Sequence, residues 1–370
     1  MRRCEPAEWL DAYPGFSASY AALRARGMGG FSYPGFSASY AALRARGMGG
    51  FSYPGFSALY AALRARGTVP TGSAHYPQRM DRILHAVNGV QLAAIDEGAG
   101  DPVVMVHGFP ELAFSWRHQI PALAGAGFRA IAYDQRGYGE SSKPENVEAY
   151  ALMNLAADAI GLLDALGLER ATLVGHDWGS IVAWTAALMY PDRVEKVVSL
   201  NVPYRGWCAG FPTTDAIREK LADRFGYVLG FQEPGATEAA FEADPDAWLR
   251  TIYLGIAADR GFMTDDEFAV YRDAFVAGGL FGPLGPYRNI DTNAAATEYL
   301  ANAPITQPTL MVTADRDPIL PPMLATGMER WVPNLEVAGI SQSGHWTQQE
   351  QPRQVNEALI GFLRSETSKP

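Results

Sequence analysis

The stretch LVGHDWGSIVAW (173–184) limits what this chain can fold into more than any other part of it. It reads as a buried strand, a sharp turn and a helix. A chain can reverse this tightly only where side chains are missing on both sides of the bend, and Gly175 and Gly179 flank Asp177. The turn therefore lifts one carboxylate above the end of a strand.

The surrounding pattern says what sheet that strand belongs to. VQLAAIDEG (90–98), DPVVMVHG (101–108), FRAIAYD (128–134), ATLVGHD (171–177) and KVVSLNVP (196–203) read as strands. Several are nearly continuous apolar runs, as strands covered on both faces are. SWRHQIPALAGAG (115–127), AYALMNLAADAIGLLDALG (149–167) and the run from Gly179 to Tyr190 have helical period, and Gly167 stops the second of them. The alternation pauses from about Tyr204 to Ala303, a stretch rich in aromatics and helical runs. It resumes with PTLMVTAD (308–315), a helix near 321–331, LEVAGIS (335–341) and the helix 351–364. Alternating βα units imply an α/β fold with a mostly parallel sheet. Ligands in such sheets bind beyond the carboxyl ends of the strands, where a helical lid would cover them. The expected division is a core over 81–203 and 304–370 with a lid over 204–303.

The first eighty residues are a different text. YPGFSASYAALRARGMGGFS at 13–32 recurs letter for letter at 33–52, and a third copy over 53–68 changes one serine to Leu59. Solenoids repeat only their core pattern, so verbatim identity points to duplication of a short segment. From Ala12 to Met80 there are seven arginines and no acidic residue. That bias also fits a transit peptide or a weak membrane-surface arm, although Gly and Pro interrupt each helical run. Residues 1–80 are expected to be dispensable for catalysis; a folded deletion variant without activity would refute this.

Composition excludes some functions. A net charge of −10 argues against nucleic acid as the main partner. No stretch approaches the ~18 apolar residues of a membrane span. Two distant cysteines, Cys4 and Cys208, argue against a structural disulfide and for a reducing, cytoplasmic setting. No residues have metal-ligand spacing, and neither a metal nor an organic cofactor is expected.

Three features fall at strand ends on the same edge: Asp177 at the elbow, Asp315 and Asp317 after PTLMVTA, and His345 after LEVAGIS. Nucleophile, acid and histidine in that order is the order of the α/β-hydrolase fold. HGFPE (107–111) follows another strand and is expected to aim the backbone N–H of Phe109, with that of Trp178, at a developing oxyanion. His107, Pro110 and Trp346, which adjoin these groups, and Phe231 of the lid are expected to line a substrate pocket.

Asp177 decides the chemistry. Serine in such a turn attacks acyl carbon. A carboxylate is a poor acyl nucleophile but competent at displacement on sp³ carbon, and it leaves an alkyl ester on the enzyme. Water activated by His345 would then hydrolyse that ester. The substrate is thus an alkyl carbon with a leaving group, an epoxide oxygen or a halide. An opening epoxide releases a basic alkoxide and gains from a phenolic acid, about 3–5 kcal/mol. The lid offers Tyr204, Tyr227, Tyr253, Tyr271, Tyr287 and Tyr299, and pattern alone does not choose among them.

Residues 81–365 resemble the soluble epoxide hydrolases, both microbial enzymes and the C-terminal domain of the mammalian soluble enzyme. HGFPE, SWRHQIPAL, DQRGYGES, GHDWG, GFQEPG, FGPLGPYRN, LMVTADRDPIL and SGHWTQQEQP carry the resemblance. It implies an α/β-hydrolase fold with an inserted lid, Asp177 as nucleophile, His345 as base and Asp317 rather than Asp315 as the acid behind it. It also implies Tyr227 and Tyr287 as the pair that protonates the epoxide oxygen. Ser180 departs from the small residue usual after GHDWG and is expected to matter little. The implied substrates are a small apolar epoxide and water, with a homodimer as one expected assembly. The alternatives are a haloalkane or haloacetate dehalogenase with the same three residues, and a small-molecule receptor using the repeats as an interaction arm.

Overall fold

The computed structural model describes residues 81–206 and 212–365; the repeats, Cys4 and Cys208 lie outside them. Eight strands form one sheet: β1 (Ile83–Val87), β2 (Val90–Gly98), β3 (Pro102–Val106), β4 (Arg129–Tyr133), β5 (Ala171–His176), β6 (Val194–Leu200), β7 (Thr309–Ala314) and β8 (Leu335–Ile340). Their order is β1-β2-β4-β3-β5-β6-β7-β8. β1 pairs antiparallel with β2 and β2 with β4; from β4 to β8 the sheet is parallel.

Helices cover both faces, which is why the inner strands are largely apolar. On one face α1 (Gln119–Gly125) and α11 (Pro352–Arg364) bury Ile120, Leu123, Val355, Leu359 and Phe362 against Val103, Met105, Val174 and Val312. On the other, α2 (Leu152–Ala165) and α3 (Trp178–Met189) bury Leu155, Leu162, Ile181 and Val182 against Val104, Ile131 and Leu173. Each such side chain, fully buried, contributes roughly 1.5–3 kcal/mol.

Between β6 and β7 the chain leaves the sheet and forms a helical insertion. After a short helical stretch from Thr214 to Leu221 come α4 (Ala222–Phe231), α5 (Ala236–Ala243), α6 (Pro245–Ile256), α7 (Asp265–Gly278), α8 (Phe281–Arg288) and α9 (Ile290–Ala296). The insertion shares its aromatic core with the α2/α3 face. A last short helix, α10 (Thr347–Glu350), precedes α11. Among the described residues no helix is long and apolar enough to cross a membrane.

Three elements differ from the sequence reading. The sequence pattern marks no strand at 83–87, yet β1 folds back on β2 through Asn88-Gly89, both at positive φ, the turn that suits a twisted hairpin. The single helix expected over 115–127 is a 3₁₀ turn at Ala113–Trp116 followed by α1. The helix expected near 321–331 is two 3₁₀ turns, Pro322–Ala325 and Met328–Arg330. Pro321 and Pro322 lack amide donors and Gly327 sits at φ 81°, so no continuous helix can pass.

Candidate active site

Asp177 stands between β5 and α3 with φ 50° and ψ −123°. A side-chain-bearing residue there costs on the order of 1–3 kcal/mol and persists only where its surroundings fix it. Two close approaches do so. A Cβ on Gly179 would lie 2.0 Å from the Val106 carbonyl oxygen, and one on Gly108 would lie 2.4 Å from the Asp177 Cβ. The elbow and the loop after β3 therefore touch backbone to backbone. Ser180 contributes more than expected: its buried hydroxyl lies 2.8 Å from the Gly175 carbonyl and 3.2 Å from that of Leu200, tying the elbow to β6.

His345 Nδ1 lies 2.9 Å from Asp317 Oδ2, and its Nε2 faces Asp177 Oδ2 at 3.7 Å. Asp315 accepts instead from the Ser343 amide at 3.0 Å. The structure thus brings Asp317, not Asp315, to the imidazole. Asp317 Oδ2 also accepts from Asn201 Nδ2 at 2.6 Å, and its Oδ1 from the amides of Ile319 and Leu320. Burial alone would raise this carboxyl; the charge of His345 and these hydrogen bonds outweigh it and hold it at about 2. Burial would lower His345, yet Asp317 and then Asp177 raise it well above its ordinary value.

The Phe109 amide donates to Asp177 Oδ1 at 2.9 Å, and Trp178 opens α3 directly after the carboxylate. The Phe109–Pro110 peptide is cis. Beneath the loop lies an arrangement that sequence reasoning missed. Glu111 Oε2 accepts from the Gly108 amide at 3.0 Å and meets His176 Nδ1 at 2.6 Å. His176 Nε2 lies 2.7 Å from the His345 carbonyl, so both ring nitrogens face acceptors and the ring is placed to donate twice. Glu111 Oε1 accepts from Gln348 and Gln349. Burial would raise the Glu111 carboxyl, but its interaction with His176 and these contacts hold it at about 2. This buried pair joins the loop after β3, the elbow and the histidine loop.

The four residues named as pocket lining stand as follows. His107 accepts from the Gln135 amide through Nε2 at 3.0 Å, so its Nδ1 carries the proton and donates to the Gly108 carbonyl at 2.9 Å. Both nitrogens are thus used, one within the loop and one on the loop after β4, and burial keeps this ring below its ordinary pKa. The Pro110 carbonyl accepts from the Tyr253 hydroxyl. Trp346 is fully buried and donates its indole N–H to the Tyr253 carbonyl at 2.9 Å. Phe231 packs edge-on against Phe109 at 5.6 Å and Tyr287 at 5.1 Å between ring centres.

Tyr227 on α4 and Tyr287 on α8 come together around Phe231, whose ring centre is 5.5 Å from that of Tyr227. Tyr287 is 3% exposed, 5.2 Å from Phe109 and 4.9 Å from Trp178 between ring centres. Burial first, then the charge of Asp177, pushes its hydroxyl well above the usual phenol value, and a side-chain hydrogen bond with Trp178 opposes this. Of the other tyrosines considered, Tyr253 and Tyr271 are wholly buried with hydroxyls bonded to Pro110 and to Ser115 and Gln349, and the Tyr204 hydroxyl donates to the Ala303 carbonyl at 2.6 Å.

The histidine loop is fastened to the insertion. The His345 amide donates to the Ile256 carbonyl at 3.0 Å. Glu350 Oε2 accepts from the amides of Ala258, Asp259 and Gly344, and its Oε1 from that of Trp346. Among the described residues no group of three metal-ligating side chains is gathered.

Two depressed carboxyls give a pH prediction. Glu111 and Asp317 hold pKa values of about 2 in the fold against ordinary values of 4.5 and 3.8. The unfolded chain therefore binds more protons as pH falls, and the stability these groups contribute is present above pH ~4.5 and lost down to pH ~2. The urea midpoint is expected to fall steeply across that window and less steeply in Glu111→Gln. A wild-type midpoint flat from pH 5 to pH 2.5 would refute it.

The alpha/beta hydrolase fold family matches residues 101–352. The chain is 42% identical to epoxide hydrolase A of Mycobacterium tuberculosis, over 75% of this chain and 95% of that one. It is 38% identical to bifunctional epoxide hydrolase 2 of Sus scrofa, over 76% of this chain but only 55% of that longer protein. The crystal structure of epoxide hydrolase A from Mycobacterium thermoresistibile superposes with a TM-score of 0.72 at 41% identity, covering 77% of this chain and 98% of that one. An epoxide hydrolase from Vigna radiata superposes at 0.71 with 31% identity, over 76% and 97%. With its elbow, sheet order and helical insertion, this chain belongs to the epoxide hydrolases of the α/β-hydrolase fold.

Proposed function

We propose that this enzyme hydrates epoxides to vicinal diols through an ester on Asp177. The observation that carries this reading is the setting of that carboxylate. Oδ1 is held by the Phe109 amide at 2.9 Å, and Oδ2 faces His345 Nε2 at 3.7 Å, below the buried Tyr287. In the first step Oδ2 attacks an epoxide carbon, the carbon–oxygen bond breaks, and the oxygen takes its proton from Tyr287 or Tyr227. A phenol kept protonated by burial suits that task, because it surrenders its proton only to a base as strong as an alkoxide.

Ester formation removes the charge of Asp177. His345 then faces one carboxylate instead of two, and one of the influences raising its pKa is gone. The neutral imidazole takes a proton from water, and the resulting hydroxide attacks Asp177 Cγ. The amides of Phe109 and Trp178 receive the oxyanion, each worth roughly 3–4 kcal/mol in such a role. Collapse breaks the ester bond, His345 returns its proton to the departing alkoxide, and the proton that the attacking hydroxide leaves on the Asp177 carboxyl goes back to the tyrosinate formed in ring opening. Asp317, fixed by Asn201 and two amides, keeps the imidazole in its tautomer.

Residues 204–303 serve as the lid, closing an aromatic pocket of Phe109, Trp178, Tyr227, Phe231, Trp248 and Tyr287 suited to apolar epoxides. The dehalogenase alternative needs N–H donors for a halide. Here the Trp178 side chain is engaged with the Tyr287 hydroxyl instead, which favours the epoxide. Every group invoked comes from one chain, so a homodimer would hold two complete sites. The absence of a membrane-crossing helix among the described residues agrees with a cytoplasmic setting.

A single turnover in ¹⁸O-water tests the ester. The first diol is expected without label, with ¹⁸O entering Asp177 and later diols; a fully labelled first diol would reject it. The acid pair is tested by substitution. Tyr227→Phe with Tyr287→Phe is expected to slow the ring-opening step by about 10²–10⁴-fold, the range of general acid catalysis. Stopped-flow tryptophan fluorescence reads that step, and unchanged opening would remove the tyrosines from it.

A further inference from the structure

The helices bearing the two tyrosines end on each other. α4 ends at Phe231 and α8 at Arg288. The last carbonyls of a helix find no partner inside it. Here one on each helix is met from the other. Gln232, directly after Phe231, donates its side-chain amide to the Tyr287 carbonyl at 2.9 Å while also holding the Val228 carbonyl at 3.2 Å. Arg288, directly after Tyr287, donates Nε to the Phe231 carbonyl at 3.0 Å. The Arg288 guanidinium is fixed in turn by Glu238 of α5 at 2.7 Å, both side chains largely buried. Between the two crossings the rings of Phe231 and Tyr287 pack edge-on at 5.1 Å.

α8 needs such support. It is eight residues long and carries Pro283 and Pro286, each without an amide donor. Pro283 lies in the first turn, where an amide has no acceptor within the helix, but Pro286 leaves the Gly282 carbonyl without its donor, so the end that carries Tyr287 is the weaker one. An acid must lie within about 3 Å of the oxygen it protonates, and two acids serving one oxygen must keep their mutual spacing.

We propose that Gln232 and Arg288 are positioning residues, a reciprocal pair of side-chain-to-carbonyl hydrogen bonds that sets the two tyrosine hydroxyls on one epoxide oxygen. The inference rests on the reading of Tyr227 and Tyr287 as the acid pair. It separates registry of the acids from the nucleophile and base, which neither residue touches.

The test uses the full chain, styrene oxide and stopped-flow separation of ring opening from ester hydrolysis. Gln232→Leu and Arg288→Met are each expected to slow ring opening about ten-fold, as a sub-ångström misplacement does. Ester hydrolysis should stay within about two-fold, and Arg288→Lys, which keeps a donor, should recover part of the loss. In the Tyr227→Phe, Tyr287→Phe background the same substitutions should cost nothing further. Equal slowing of both steps, or the same slowing with the tyrosine hydroxyls absent, would overturn the positioning role and leave a general structural one. Full-speed opening in the double phenylalanine variant would instead overturn the acid reading itself, and the inference with it. Should Arg288→Met fail to fold with Glu238 left unpaired, Gln232→Leu alone decides, because its neutral amide leaves no buried charge behind.

Discussion

His345→Gln is expected to yield an enzyme that reacts once and stops. Ring opening asks nothing of the imidazole as a base, so Asp177 should still be alkylated. Ester hydrolysis loses the base that faces Asp177 Oδ2 at 3.7 Å and should slow by about 10²–10⁴-fold. Glutamine keeps much of the volume of histidine and can still donate toward Asp317, so that carboxylate is not left bare. Intact mass spectrometry after mixing with an epoxide should show the protein heavier by one substrate, and peptide mapping should place the addition on Asp177. Steady diol production with no adduct would mean that water attacks the epoxide directly, and the ester mechanism would fall.

Asp177→Ala should remove activity altogether. Loss of a covalent nucleophile costs on the order of 10⁶-fold where it has been dissected in a hydrolase, and Glu111, which reaches the elbow at His176, is buried and already bonded to Gly108, Gln348 and Gln349. His345 would still face Asp317, so the oriented base remains without an ester to act on. Diol formation indistinguishable from the uncatalysed rate, with no adduct by mass, is the expected result. Residual turnover within about 100-fold of wild type would assign His345 to direct activation of water on the epoxide.

The parallel part of the sheet was legible because its inner strands are covered on both faces. PVVMV is an unbroken apolar run for that reason, and TLMVTA is buried along its whole length with only threonines interrupting it. β1 was illegible because it lies at the sheet edge with Ile83 and Leu84 more than half exposed, which erases any alternation. Its one signal was Asn88-Gly89, a hairpin turn awaiting two strands. Asp177 and His345 were readable from glycine spacing and chain order. The choice of Asp317 over Asp315 was not, since both follow the same strand two residues apart and only the path of the turn separates them. Glu111 and His176 lie 65 residues apart, one just beyond β3 and the other at the end of β5, and their contact exists only once the two strand ends are neighbours. The tyrosines were alike in pattern; in the fold the hydroxyls of Tyr204, Tyr253 and Tyr271 bond to Ala303, Pro110 and Gln349, Tyr299 is exposed, and Tyr227 and Tyr287 meet around Phe231.

The ties between the insertion and the histidine loop bear on modularity. Glu350 gathers amides from Ala258 and Asp259 on one side and from Gly344 and Trp346 on the other, and the Ile256 carbonyl holds the amide of His345 itself. Residues 204–303 are contiguous in sequence, yet they do not form a cassette that could be exchanged at its two chain crossings. A chimera that imports this region from a relative has to bring the relative's version of 343–350 with it, or the base will be hung on a frame cut for another enzyme.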